Sequence, residues 1–267
     1  RTRRKYCYNI LVSGLDDDNG GSDTNILVRF DVPNKRIDLV SLPRDTLLHN
    51  EYRNNKLNFA YAKGGTELLM EQIENLLGIP VDFYVTVNLK GFIALVDQID
   101  GVDFDIPINM DYDDPYQDLH IHFTKGPRHL NGQEAMEVVR FRHNNDGTGY
   151  GTEDIGRIGT QQAFLKAVAK QLLQIGNVKN IPALVDIFYT YVKTDLTTGN
   201  LVWLGNEALN IGTENIHFAT LPGDGSGYYN KQSVYVLDAQ ATCDLVNEAL
   251  NPYNEALTLE DMDILVP

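Results

Sequence analysis

The stretch Asp38–Asn50, DLVSLPRDTLLHN, carries an apolar run into Leu42-Pro43 and then sets Arg44 and Asp45 side by side. Proline has no N–H for a sheet ladder and fixes its own φ, so it belongs at a strand end. It also pushes the residue before it toward extended geometry. Arg44 and Asp45 therefore sit just past a strand's carboxyl end, the rim where α/β sheets bind ligands. On this stretch alone a strand-end ion pair is the favoured reading.

Strands and helices interleave along the chain. Tyr8–Gly14 is a short apolar strand that enters an acidic turn, Asp16-Asp17-Asp18-Asn19-Gly20. Asn25–Val32 and Arg36–Leu42 are two strands joined across Pro33-Asn34, a hairpin by its turn residues. Gly64-Gly65 leads into a helix over Thr66–Leu77, closed by Gly78 and Pro80. Val81–Asn88 alternates as a half-buried strand. A helix over Leu89–Gln98 follows, then the alternating Val102–Ile106. Asn131 is a good N-cap for the next helix. The longest helical pattern runs over about 155–175, and a second apolar one over 182–192. A strand over Ile216–Leu221 precedes the Gly-rich loop Gly223–Gly227 and a closing helix from about Val236 to Leu250. With no Ser/Pro-rich linker between them, these elements predict one α/β domain over residues 1–267. The hairpin makes its central sheet mixed, with helices on both faces.

The 267 residues suffice for a sizeable core, and 43% hydrophobic with 22% charged residues is ordinary globular composition. A formal charge of -15 argues against nucleic acid as partner. An anion is still bound readily by a local arginine cluster, so the arginines are the residues to follow. The one basic run, Arg1–Lys5, reads as a solvated tail or a juxtamembrane segment. No apolar run approaches the roughly 18 to 20 residues of a membrane span. Cys7, in the first strand, and Cys243, in the last helix, read as two buried apolar side chains with neither disulfide nor zinc spacing.

Several site types drop out. Gly225-Ser226-Gly227 has Asp224 where a nucleophile elbow needs glycine. The acidic turn after Leu15 lacks the glycine and glutamate of a calcium loop. His120 and His122 alternate on an extended segment without a zincin glutamate, and read as solvated strand histidines.

What remains is a set of arginines and carboxylates at element ends. Asp23 lies in Ser22-Asp23-Thr24, where the acidic turn enters the second strand. Arg140 and Arg142 flank Phe141, and in extended geometry they point the same way with Phe141 turned inward. Asp154, Arg157 and Gln161 share one stripe at the start of the long helix, whose N-terminal amides favour phosphate. Lys56 adds a positive group after the Pro-Arg-Asp turn. Such a mixture suits a diphosphate held by arginines, with a divalent cation on the aspartates.

The motifs GLD (Gly14–Asp16), SDT (Ser22–Thr24), SLPRDT (Ser41–Thr46) and KLNFAYAKGG (Lys56–Gly65) resemble the LytR-CpsA-Psr cell-wall ligases. So do GFIALVDQIDGVDFDIP (Gly91–Pro107), LNGQEAMEVVRFR (Leu130–Arg142), DIGRIGTQQ (Asp154–Gln162) and TLPGDG (Thr220–Gly225), and together they cover nearly the whole chain. The resemblance implies a membrane-anchored enzyme at the extracytoplasmic face of chiefly Gram-positive bacteria. Such an enzyme moves a glycopolymer from a polyprenyl-diphosphate carrier to peptidoglycan. It implies Asp16 and Asp23 as Mg2+ ligands, and Arg44, Arg140, Arg142 and Arg157 as the diphosphate clamp, supported by Lys56 and Gln161. Arg44, Asp45, Arg140 and Arg142 would carry catalysis, with Asp45 either orienting Arg44 or accepting the hydroxyl proton. It also implies a hydrophobic lipid pocket, expected along Phe164, Leu165, Val168, Leu172 and the Ile187-Phe188 region. Three positions depart from the family pattern: Asp18, Gly21 and Thr160 stand where arginine is usual. Two further readings stay open, a polyprenyl-diphosphate diphosphatase and a non-catalytic lipid-diphosphate-binding regulator of the cell envelope.

Overall fold

The Pro33-Asn34 turn forms as the sequence predicts, closed by Lys35 at φ 49°. It joins strands β2 (Ser22–Asp31) and β3 (Arg36–Leu42) in antiparallel register, Arg29 opposite Asp38 and Asn25 opposite Leu42. The computed structural model describes residues 1–15, 20–152, 154–174 and 181–267, the side chains of residues 173 and 174 excepted. The described chain divides into two compact units, Arg1–Val87 with Lys193–Pro267, and Asn88–Val192.

The first unit is built on a mixed six-stranded sheet. To β2 and β3 it adds β1 (Cys7–Leu15), β4 (Phe83–Val87), β9 (Lys193–Thr194) and β10 (Ile216–Thr220), in the order β10-β3-β2-β1-β4-β9. β1 pairs antiparallel with β2 and parallel with β4, while β10 runs parallel to β3. Thus β1, β3, β4 and β10 all end at the same rim. Successive side chains of a strand alternate between faces, so Leu11, Leu27 and Val40 share one face. They join a buried cluster with Leu69, Ile73, Leu76 and Leu77 of helix α1 (Leu57–Leu77) and Val246 of helix α7 (Ala239–Ala249). On the other face Tyr8 meets Trp203 of helix α6 (Thr198–Ile211) edge-on, at 6.0 Å between ring centres. The fold is therefore α/β with helices on both faces of a mixed sheet.

Several boundaries differ from the sequence reading. Helix α1 starts at Leu57 rather than Thr66, and is interrupted at Gly64–Gly65. Gly65 takes φ 66°, ψ -158°, a conformation open essentially to glycine alone. The expected Gly-rich loop at Gly223–Gly227 is instead part of strand β11 (Gly223–Tyr229), paired with β12 (Gln232–Leu237). A Cβ at Gly223 would lie 2.3 Å from the Val236 carbonyl oxygen, so the glycine serves close strand approach. The closing helix consequently begins at Ala239, capped by Asp238, instead of near Val236. The basic run at the start is folded in rather than trailing as a solvated tail: Arg1, Arg3 and Arg4 pair with Asp261, Asp82 and Asp31. Cys7 and Cys243 are buried and free.

The second unit holds α2 (Leu89–Gln98), β5 (Val102–Ile106), β6 (Met110–Asp114), β7 (Leu119–Phe123), β8 (Gly126–Leu130), α3 (Gly132–Arg140), α4 (Asp154–Gln174) and α5 (Ile181–Tyr191). β5 pairs with β8 and β6 with β7, both antiparallel. Their inward residues, among them Val102, Phe104, Ile121 and Phe123, pack with Phe141 and Phe164. Asn131 caps α3 as expected, in a reciprocal capping box with Glu134.

Candidate functional site

In the first unit, Pro43 ends β3 and the chain turns at once. The Thr46 N–H donates to the Pro43 carbonyl at 3.0 Å, and its hydroxyl donates to the same oxygen at 2.6 Å. The turn is then pinned from two sides. The Asn58 N–H donates to the Arg44 carbonyl at 3.0 Å, and the Tyr235 N–H donates to the Asp45 carbonyl at 2.8 Å. With both carbonyls held, the Arg44 and Asp45 side chains project from a fixed backbone at the carboxyl end of the parallel strands.

Four of the expected residues gather there, Arg44 and Lys56 on Asp45 and Asp23 on Arg44. Arg44 Nη1 lies 2.5 Å from Asp23 Oδ1, and Arg44 Nε lies 3.7 Å from Asp45 Oδ1. Lys56 Nζ approaches the same Asp45 oxygen at 3.4 Å. All four side chains are 20 to 35% exposed, within reach of a ligand. Asp45 thus aligns two cations, and Asp23 steadies the fork of Arg44. The Asp23–Arg44 pairing follows from the hairpin itself: the register that sets Asn25 opposite Leu42 sets Asp23 opposite Arg44 when continued by two residues. That signal was available in the sequence once the turn was placed at Pro33-Asn34. Asp16 and Asp18 lie outside the described residues. Gly21, the second position that departs from the family pattern, packs tightly, since a Cβ there would sit 3.2 Å from the Asn58 carbonyl oxygen.

In the second unit, Arg140 is not on an extended segment. It is the last residue of α3, because the Phe141 N–H still donates to the Glu137 carbonyl at 3.1 Å. Arg140 Nη2 donates to Gln117 Oε1 at 2.9 Å. Phe141 is turned inward and fully buried, as expected, and Arg142 is half-buried beyond it. Arg157, 5% exposed, pairs with Asp154 at 2.5 Å in the first turn of α4, and its buried Nε finds no partner among the described residues. An orphaned guanidinium donor beside helix N-terminal amides suits an anion. Gln161 Nε2 donates to the Val139 carbonyl at 3.2 Å.

Thr160, the third departure, is buried, and its hydroxyl lies 2.6 Å from that of Tyr150. Tyr150 packs edge-on against Phe141 and fills the space over Gly156, where a Cβ would fall 2.2 Å from its own. Burial pushes the Tyr150 hydroxyl pKa up, against the lowering effect of Thr160. The sequence reading missed this pair. Its signal was a small residue one helical turn before Thr160, matched to an aromatic in the glycine-rich segment ahead of the helix. Of the residues expected along the lipid tail, Phe164 is enclosed by Phe92 and Phe104 at 5.8 and 5.7 Å between ring centres. Val168 packs against the same cluster, and Leu165 and Leu172 are half-buried.

No helix among the described residues is long and apolar enough to cross a membrane. The profile of the LytR_cpsA_psr family matches residues 2–251. Over 252 residues, 90% of this chain, the sequence is 32% identical to the polyisoprenyl-teichoic acid–peptidoglycan teichoic acid transferase TagV of Bacillus subtilis (strain 168). The match spans 62% of the TagV sequence. The crystal structure of B. subtilis TagV superposes with a TM-score of 0.78, covering 98% of this chain and 100% of that one at 27% identity. The teichoic acid transferase TagU of Bacillus cereus is 32% identical over 90% of this chain and 76% of its own. The regulatory protein MsrR of Staphylococcus aureus (strain COL) is 31% identical over 80% of this chain and 64% of its own.

Proposed function

The chain belongs to the LytR_cpsA_psr family, and from that premise we propose that it transfers a glycopolymer from a polyprenyl-diphosphate carrier to a sugar hydroxyl of peptidoglycan. The observation that carries the proposal is the pinned turn at the sheet rim, where Arg44 and Lys56 flank Asp45 and Arg44 faces Asp23. Relatives named as teichoic acid transferases support the substrate class. The setting would be the extracytoplasmic face of a bacterial membrane, as the sequence resemblance implies.

In this reading the acceptor hydroxyl oxygen attacks the phosphorus that bears the glycan. A new P–O bond forms to peptidoglycan, the P–O bond to the second phosphate breaks, and polyprenyl monophosphate leaves. The hydroxyl proton ends on solvent or on the departing phosphate. Negative charge grows on the oxygens being separated, and preset cations aimed at them are the main catalysis on offer. Arg44 supplies a planar fork for two phosphate oxygens, and Lys56 a second charge. Asp45, held between them, orients both. Within the second unit, the orphaned Nε of Arg157 supports an anion-binding role for that residue, which the sequence resemblance extends to Arg140, Arg142 and Gln161. With Phe164 enclosed, a lipid tail would lie against Leu165 and Leu172.

Carboxylate oxygens beside a diphosphate fit Mg2+, which is commonly held by one or two acids plus substrate phosphates. Asp23, with Asp16 as the sequence resemblance implies, would hold it. When bound, the ion neutralises charge on the diphosphate.

A second reading, a lipid-diphosphate binder without transfer, is favoured by Thr160 and Gly21. The first is occupied with Tyr150 and the second is closely packed, so neither position offers the family arginine. Incubating the protein with a short-chain lipid-linked glycan, Mg2+ and peptidoglycan separates the readings. Polymer-linked peptidoglycan supports transfer, free phosphate points to a diphosphatase, and neither product, together with tight binding, leaves a binder. Thermal shift adds a check: Mg2+ and polyprenyl diphosphate together should raise the midpoint by more than the sum of each alone.

A further inference from the structure

The β6–β7 hairpin of the second unit carries an arrangement that the proposed transfer does not use. Its inner face is core: Met110, Leu119, Ile121 and Phe123 are all buried. Its outer face sets Asp111 opposite His122 and Asp113 opposite His120, all exposed. Sequence spacing alone hides this grouping, because antiparallel register, not a helical repeat, creates it.

Two ring nitrogens converge on one carboxylate oxygen. Asp113 Oδ1 lies 2.5 Å from His120 Nδ1 and 3.1 Å from His122 Nε2. The three potential ligand atoms fall within 4.8 Å of one another, and no other His, Cys, Asp or Glu triplet among the described residues does so. Each ring is also held from behind. His122 Nδ1 meets Asp111 Oδ1 at 2.8 Å, and His120 Nε2 meets Asp118 Oδ1 at 3.3 Å. At these distances each near nitrogen donates a proton to Asp113, which an entering metal would displace. The carboxylate on the far nitrogen is the outer support characteristic of metal-binding imidazoles.

The backbone under these side chains is fixed on its open edge as well. The Asp111 and Asp113 N–H groups donate to Asn144 Oδ1 and Asn145 Oδ1, both at 2.7 Å. Asn145 Nδ2 donates back to the Asp113 carbonyl at 3.0 Å. The hairpin is therefore braced by the segment just after Arg142, and the outer grid does not depend on its own charges for its geometry.

We propose that Asp113, His120 and His122 form a binding site for a zinc-class divalent transition metal. Two imidazoles and one carboxylate select borderline metals over Mg2+ and Ca2+, which prefer all-oxygen shells. Ligand atoms at about 2.0 to 2.2 Å from zinc stand some 3.3 to 3.6 Å apart in a tetrahedron. Two of the three separations, 2.5 and 3.1 Å, lie below that spacing and the third is no more than 4.8 Å, all between exposed side chains. Three protein ligands leave a fourth position to water or an outside ligand. The Asp111 and Asp118 carboxylates add negative charge without coordinating. The site differs from the rim at Arg44 in ligands, in metal preference and in unit, so either assignment can fail without the other.

The test is calorimetric titration of Zn2+ into the full chain, carrying no histidine tag, at pH 7.5. One saturable site is expected, undisturbed by a hundredfold excess of Mg2+. His120→Gln and His122→Gln should each weaken it at least tenfold. Both rings are exposed, and an unchanged circular dichroism spectrum will show that the variants fold. Equal zinc affinity in the wild type and both variants, absence of binding below millimolar zinc, or displacement by Mg2+ would each overturn the proposal.

Discussion

Two Arg/Asp pairs stand six residues apart along one hairpin (29 to 23 and 38 to 44), one within its ladder and one just past the end. Arg29 Nη2 and Asp38 Oδ2 meet at 2.7 Å with side chains 4% and 2% exposed. Arg44 Nη1 and Asp23 Oδ1 meet at 2.5 Å with side chains 20% and 23% exposed. The residue types and the contact are alike, and the solvent differs. Asp38 also takes Arg36, and Arg29 Nη1 reaches the Asn251 carbonyl at 3.5 Å, so the inner pair is tied into the fold beneath α7. At the other end Pro43 stops the ladder, and the same pair stands at the rim with Asp45 and Lys56 beside it. Burial turns one pair into a structural constraint. Partial exposure leaves the other able to exchange its carboxylate partner for a phosphate.

The largest effect should come from breaking the inner pair. Arg29→Ala leaves Asp38 buried with only part of its compensation, and removing one partner of a buried ion pair costs about 3 to 5 kcal/mol. Arg36 remains on Asp38 and pulls the expectation to the lower end, about 3 kcal/mol. The protein's one tryptophan, Trp203, packs on β1 in the same unit, so its fluorescence in a urea titration follows this unit's unfolding. A loss below about 1 kcal/mol would mean that burial does not separate the two pairs.

The rim pair should show the opposite profile. Arg44→Ala should change stability by less than about 1 kcal/mol, as half-exposed ion pairs do. It should weaken diphosphate binding roughly ten- to a hundredfold through loss of a charge-assisted contact. Arg44→Lys sharpens the point, because it keeps the charge and loses the planar fork. Part of the binding should survive while most turnover of a lipid-linked glycan disappears, since the fork is aimed at charge that grows in the transition state. Near-normal turnover by Arg44→Lys would return Arg44 to a plain strand-end ion pair.

The legible parts of the fold were those with strict periodicity or a strong cap. The hairpin about Pro33-Asn34, the helix over Leu89–Gln98, the strand over Val102–Ile106 and the Asn131 cap all stand where the sequence put them. Features decided by backbone proximity were not legible. Glycine has no side chain to show a period, so Gly223–Gly227 read as a loop although the chain there pairs with β12. Helix α6 escaped notice because Thr197 closes its capping box with Asn200 rather than a glutamate or glutamine. At the rim, the nature of the cluster was readable from SLPRDT and SDT, and its pairing from the register. Arg140 was read as extended because the sequence does not reveal that helical hydrogen bonding runs on to Phe141.

A third pair extends the comparison to full exposure, where the smallest effect is expected. On the β5–β8 ladder His129 stands opposite Asp103, with Nδ1 2.7 Å from Asp103 Oδ1 and Nε2 2.8 Å from the Asp100 carbonyl. The side chains are 57% and 87% exposed, so solvent screens the attraction and little stability rests on it. The hydrogen bond to Asp103 nevertheless raises the His129 pKa above its ordinary value, with a smaller contribution from Asp100. A raised folded-state pKa means that the pair's contribution is fully present below the unfolded value. It is then lost as pH rises through the folded one. A proton NMR titration of the imidazole should place the His129 midpoint above about 6.5, the unperturbed value, and Asp103→Asn should bring it down. A midpoint that does not respond to Asp103→Asn would break the series, because protonation would then be the one property that even an exposed pair does not control.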